Sequence, residues 1–241
     1  MKSCNNYKFS LLGTPDLTTF DTRTDISDAE TRKHIVMIGD SFVFGDGLEY
    51  DQTISSILQN LYGDKYLVVN LGVSGSDLED AVRHLNRWAA RFPNNIVGIV
   101  FGCTFHSRKR KMWTSIDYPE HYPTNDAYPP LYSLNTIHKV RHEDNPIPID
   151  DLVNWEKSIL SAYWISRALN AKLLAWDIGN SDYLSQDDRD HIELGLTELD
   201  IELINLTFPD PTISFLPDGH WNGIGNAVLA ERIFNLFGDL G

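Results

Sequence analysis

Four runs of this chain are apolar at almost every position: "HIVMIG" (34–39), "KYLVVNLG" (65–72), "NIVGIVFG" (95–102) and "AKLLAWDIG" (171–179). A strand with one face in water alternates apolar and polar residues. A strand covered on both faces reads as a near-continuous apolar run. The stretches between these runs carry a different period. "DQTISSILQNLYG" (51–63) places Ile54, Ile57, Leu58 and Leu61 at helical spacing, with Gly63 as the stop. "SDLEDAVRHLNRWAARF" (76–92) lines Leu78, Val82, Leu85 and Trp88 or Ala89 along one face. Ser76 is its expected cap, with Glu79 completing a capping box. Helices are also predicted over 151–169, 186–199 and 222–238, and a weaker strand over "IELINL" (201–206). Strands and helices in alternation predict an α/β fold: a three-layer α/β/α domain around a parallel five-stranded sheet.

A chain of 241 residues is long enough for one sizeable core and short for two. With 42% hydrophobic and 22% charged residues, disorder is not expected. Residues 1–33 are polar and turn-rich and read as an N-terminal arm; 34–241 read as the domain. Its alternation breaks at about 103–150, a segment rich in aromatics and prolines that is expected to form a lid. The formal net charge of -14 argues against nucleic acid or an anionic membrane as partner. No apolar run is long enough to span a bilayer. The first residues lack the apolar core of a signal peptide, so a cytoplasmic location is expected. Two cysteines, Cys4 and Cys103, make no disulfide framework.

In an open parallel sheet, sites form beyond the carboxyl ends of the strands. The first run leads into Asp40-Ser41, the second into "NLGVSGS" (70–76), and the third into "FGCT" (101–104). "FLPDGHWNGIG" (215–225) follows the last strand and precedes the closing helix. One rim therefore gathers a hydroxyl, glycine amides, a Thr or Cys, and an Asp-His pair. Acyl transfer needs that inventory: a nucleophile, donors for an oxyanion, a general base, and an acid to orient the base.

The same residues carry a family resemblance. "IGDSFVFGDG" resembles the Gly-Asp-Ser block of the SGNH (GDSL-type) hydrolase superfamily, and "NLGVSGS" resembles its second block. "DGHWNGIGN" is similar to its last block, in the Asp-x-His-Trp form of carbohydrate O-acetylesterases and acetyltransferases. The resemblance covers about 40 to 240, with the middle unmatched. It implies a flavodoxin-like sheet and a Ser41, His220, Asp218 triad, with Ser41 attacking an ester carbonyl, His220 as base and Asp218 orienting it. It further implies an oxyanion hole from the amides of Ser41 and Gly75, with Thr104 as a third donor. Asp40 and Trp221 are expected at the substrate. No metal and no cofactor is implied. The partner implied is a small-molecule or carbohydrate ester; nothing indicates an oligomeric state.

Two departures stand out. The usual Gly-x-Asn-Asp block is here Gly102-Cys103-Thr104-Phe105, so Thr104 replaces the oxyanion asparagine. The commoner Asp-x-x-His is shortened to Asp218-Gly219-His220; residues two apart in an extended segment point the same way, which keeps Asp218 within reach.

Plainer readings exist for each residue. Ser41 on a strand-to-helix turn suits a helix cap. Asp40 suits a bond to local backbone, and Gly72 and Gly75 suit any tight turn. His220 and Trp221 suit a packed pair under the closing helix. Cys103 suits a small buried side chain, and the basic run Arg108 to Lys111 a solvated loop. Three functions fit the motif set: a serine esterase, an O-acyltransferase with the same triad, and a degenerate binding or structural module.

Overall fold

Strand β3 (Lys33–Ile38) is where the fold is organised. The computed structural model describes residues 7–10, 19–22, 24–74, 76, 78–103, 149–177, 194–204, 216 and 220–238. β1 (Tyr7–Ser10) and β2 (Thr19–Thr22) form a separate antiparallel pair. β3 pairs in parallel with β4 (Tyr66–Asn70) on one side and with β5 (Ile96–Cys103) on the other. β6 (Lys172–Asp177) and β7 (Glu202–Ile204) continue the sheet, giving the order β4-β3-β5-β6-β7, all parallel. That is the flavodoxin-like order, and the expected strand positions hold to within one or two residues.

The sheet separates two cores by the strand period of two. Val36, Ile38, Leu67, Val69, Ile99, Phe101, Leu173 and Ala175 face one way. They meet Ala81, Leu85, Trp88 and Ala89 of α3 (Leu78–Arg91), with Ile159 and Ala162 of α4 (Ile149–Leu169). Ile35, Met37, Val68, Val100, Leu174 and Trp176 face the other way. They meet Ile54, Leu58 and Tyr62 of α2 (Ile54–Tyr62) and Leu229, Ala230, Ile233 and Phe237 of α5 (Gly223–Phe237). Each fully buried aliphatic or aromatic side chain here is worth about 1.5–3 kcal/mol. α1 (Ser41–Phe44) is the short helix directly after β3. Of the helix expected over 186–199, residues 194–198 are helical and the rest lies outside the described residues.

β4 is an edge strand, and the side chains of Gln59, Thr24 and Arg32 satisfy its outer backbone. Gln59 of α2 accepts from the Val68 N–H at 2.9 Å and donates to the Tyr66 carbonyl at 2.9 Å. Thr24 Oγ1 donates to the Val68 carbonyl and accepts from the Asn70 N–H, both at 3.0 Å. An edge so occupied cannot template another chain. Within the expected N-terminal arm, then, Thr24, Ile26 and Ala29 pack onto the domain. The expected capping box is not made: Ser76 Oγ donates instead to the Gly39 carbonyl at 3.1 Å, and α3 begins two residues later. Among the described residues, no helix is long and apolar enough to cross a membrane.

His34 is fully buried beneath α3. Its Nδ1 accepts from Trp88 Nε1 at 3.2 Å, so Nε2 carries the proton and donates to the Ala29 carbonyl at 2.8 Å. Burial disfavours the imidazolium and pushes its pKa down from 6.5 to about 4. The unfolded chain takes up a proton near 6.5 and the folded chain only near 4. Stability from His34 is therefore complete above the upper value and is lost as pH falls toward the lower, by about 3 kcal/mol at most. His34→Gln keeps a donor and an acceptor but cannot titrate. We expect it to lower stability at neutral pH and to flatten the fall in urea midpoint on acidification; an unchanged slope would show that other groups set it.

Candidate active site

At the carboxyl end of β3 the chain turns sharply. Gly39 has φ +152°, and a Cβ there would lie 2.5 Å from Val43 Cγ2 and 2.9 Å from the Gly102 carbonyl oxygen. Asp40 caps α1: its Oδ1 accepts from the Phe42 N–H at 3.0 Å. Ser41 opens the helix, so its own N–H has no intrahelical acceptor. The helix stops after one turn at Gly45, which is left-handed (φ 85°).

His220 arrives from the other end of the chain, two residues before the Asn222 cap of α5. Its Nε2 lies 2.9 Å from Ser41 Oγ, across a sequence separation of 179. Both residues are nearly buried, at 6% and 2% exposure. The Leu216 N–H donates to the His220 carbonyl at 2.6 Å. The Phe42 ring lies 4.8 Å from the imidazole, tilted by 38°. Phe42 also meets Trp221 edge-on at 4.8 Å, and Trp221 meets Trp176 at 5.8 Å. A row of aromatic rings thus fills the space beside His220.

The loop after β4 is pinned to the turn that carries Ser41. Asn70 is buried at the end of its strand. Its Nδ2 donates to the Val43 carbonyl at 2.8 Å and to Ser55 Oγ at 3.0 Å, while its Oδ1 accepts from the Gly72 N–H at 3.0 Å. The Val73 N–H donates to the Gly39 carbonyl at 3.1 Å. Gly72 is required by proximity: a Cβ would sit 2.5 Å from the Phe44 nitrogen and 2.8 Å from the Val43 carbonyl carbon.

Ser41 and His220 are thus brought together. Asp218, Gly75 and Thr104 lie outside the described residues, as does nearly all of the expected lid. Asp40 and Trp221 are each 2% exposed, as Ser41 is: Asp40 Oδ1 accepts from the Phe42 amide, and Trp221 packs between Phe42 and Trp176. Asn70 and Phe42 lie within the motif blocks, but their contacts are not among the roles that the motifs imply. A polar residue closing the apolar run "YLVVN" is a usable signal for Asn70; an aromatic after a serine is no signal for Phe42.

No family model matches the chain, and no curated protein does. Solved structures share its fold. TesA superposes with a TM-score of 0.56 at 16% identity, over 87% of this chain and 100% of that one. A G-D-S-L-family protein from Desulfitobacterium hafniense gives 0.55 at 12% identity, over 85% and 99%. A catalytic mutant of Axe2, an acetylxylan esterase from Geobacillus stearothermophilus, gives 0.53 at 14% identity, over 87% and 96%. At these identities the likeness is one of fold. The chain has the α/β fold of the SGNH (GDSL-type) hydrolases, as its motifs implied.

The close approach at Gly72 is testable without substrate. Gly72→Ala forces a methyl against backbone that cannot rotate away, and overpacking of this kind costs about 1–3 kcal/mol. We expect a lower denaturation midpoint; wild-type stability would mean that the loop and the turn that carries Ser41 are further apart than described.

Proposed function

We propose that this chain is a serine esterase of the SGNH type, acting on a small acyl ester, with a carbohydrate acetyl ester as the substrate class. The observation that carries this reading is the 2.9 Å approach of His220 Nε2 to Ser41 Oγ. A serine at the tip of a sharp turn needs a base within hydrogen-bond reach to become a nucleophile. Here the base comes from a segment 179 residues away. Helix capping at this turn is already supplied by Asp40, so Ser41 is not needed for it.

The proposed reaction uses these two positions together with the residues that the family resemblance implies. Ser41 Oγ attacks the ester carbonyl while its proton passes to His220 Nε2. The tetrahedral oxyanion accepts hydrogen bonds from the Ser41 and Gly75 amides, with Thr104 as a third donor. His220 returns the proton to the departing alkoxide. Water then attacks the acyl-enzyme with His220 again as base. Asp218 orients the imidazole and stabilises its charged form. The acetyl-carbohydrate assignment is supported by the Asp-x-His-Trp motif and by the acetylxylan esterase among the structures of like fold.

Ser41→Ala and His220→Ala are each expected to abolish most turnover of a short-chain chromogenic ester. Their losses should not add, because the pair works as one unit. Ser41→Ala should also end labelling by a fluorophosphonate. Labelling and turnover that persist in Ser41→Ala would place the nucleophile elsewhere.

Thr104 is a separate question. An asparagine amide reaches one bond further from its Cα than a threonine hydroxyl, and an oxyanion donor is worth about a hundredfold in rate. Thr104→Asn is therefore expected to raise kcat with little change in KM, and Thr104→Val to cost little. A Val variant as damaged as one that has lost a donor would show that the threonine already serves the hole.

A further inference from the structure

Phe42 follows Ser41 in the chain, and its half-buried side chain lies against His220. The centroids of the phenyl and imidazole rings are 4.8 Å apart, and their planes meet at 38°. Rings side by side in one plane cannot come so close, and an edge-on pair would stand nearer to a right angle. The phenyl ring therefore turns a face toward the imidazole. Phe42 is itself held from two directions. Its N–H donates to Asp40 Oδ1 at 3.0 Å, and Trp221 meets its ring edge-on at 4.8 Å. Trp221 packs in turn on the buried ring of Trp176.

In the proposed reaction His220 is neutral before Ser41 attacks and cationic once it has taken the proton. The new charge arises on a side chain of a residue that is 6% exposed, where water does little to stabilise it. The face of an aromatic ring carries negative partial charge. It attracts a cation within about 6 Å of its centre, and more strongly where water is excluded. Phe42 meets both conditions. Its attraction for the neutral imidazole is weaker than for the imidazolium, so the contact favours the transition state over the ground state.

We propose that Phe42 is a positioning residue that acts through His220: its ring face stabilises the imidazolium that forms as Ser41 gives up its proton. This role rests on the esterase reading, in which His220 is the base, and adds a residue that the triad logic does not supply. What it needs is the negative face of the ring and not only its bulk. Leucine at position 42 fills part of the same space without that face. Fluorine on the ring withdraws charge from the face with little change of shape, so it weakens the attraction in steps and leaves the packing nearly as it was.

The test uses the full chain with Phe42→Leu, and with Phe42 replaced by monofluoro-, trifluoro- and pentafluorophenylalanine. Hydrolysis of a short-chain chromogenic ester is followed across pH for each, with fluorophosphonate labelling and thermal unfolding alongside. The pentafluoro form and Phe42→Leu should each lower kcat by about tenfold with KM nearly unchanged, because the loss falls on the transition state. The mono- and trifluoro forms should fall between them and wild type, in order of fluorine number. The acid limb of kcat/KM should move to lower pH in Phe42→Leu and in the pentafluoro form, since a less stabilised imidazolium gives up its proton more readily. Should the pentafluoro form not fold, the trifluoro form and Phe42→Leu carry the same two readouts. Wild-type kcat in the most fluorinated folded form, a loss that does not grow with fluorine number, or an acid limb that stays in place in Phe42→Leu would each overturn the role of the ring while leaving the esterase reading intact. Failure of the esterase reading has a different signature, a wild-type protein that neither labels nor turns over ester, and it overturns both.

Discussion

β3 has a strand on each side and a helical layer on each face, so no side chain from His34 to Ile38 meets water. The only polar side chain in that stretch, His34, is held neutral by burial with both ring nitrogens bonded. Reactive groups can therefore appear only where the strand stops. The sheet's parallel order puts the stops of β3, β4 and β5 side by side, and the short α1 turns the chain away at once. Asp40 and Ser41 sit at the first place along β3 where a polar side chain can find partners.

Close packing of backbone against backbone sets the geometry beyond that point. Gly39, Gly72 and Gly102 leave room that Val43 and Trp176 fill, and a Cβ at any of the three would lie under 3 Å from another atom. The buried amide of Asn70 ties α1, α2 and the loop after β4 into one unit. The opposite side of the site is aromatic: Phe42, Trp221 and Trp176 pack successively beside His220. Phe42 follows Ser41 directly and its ring touches the imidazole, so a residue of α1 also limits how His220 can tilt.

The polar side chains that matter to this architecture divide into two kinds. Some complete backbone that the sheet leaves open, as Thr24 and Gln59 do along the edge of β4. Others join loops at the rim, as Asp46 and Ser74 do. Asp40 belongs with the first kind. A buried carboxylate is costly unless its charge is met by donors, and the Phe42 amide at the helix start is one such donor.

Periodicity alone makes the sheet and its helices legible in the chain. "HIVMIG" and "NIVGIVFG" are apolar on both faces, and α3 shows its buried stripe at Leu85, Trp88 and Ala89, because burial imposes a period that local sequence must carry. Ser41 and His220 are legible as motif residues for the same local reason. Ser76 departs from its expected role because a capping box is a local pattern, whereas its hydroxyl is claimed by the Gly39 carbonyl 37 residues away. The packing of Trp221 is not legible locally either, because nothing beside it in the chain says that Trp176 lies under it. Order along the chain determined which elements form; only the tertiary structure decided which polar groups they share, since hydrogen bonds between residues such as Asp46 and Ser74, or Asn70 and Val43, leave no period in the sequence.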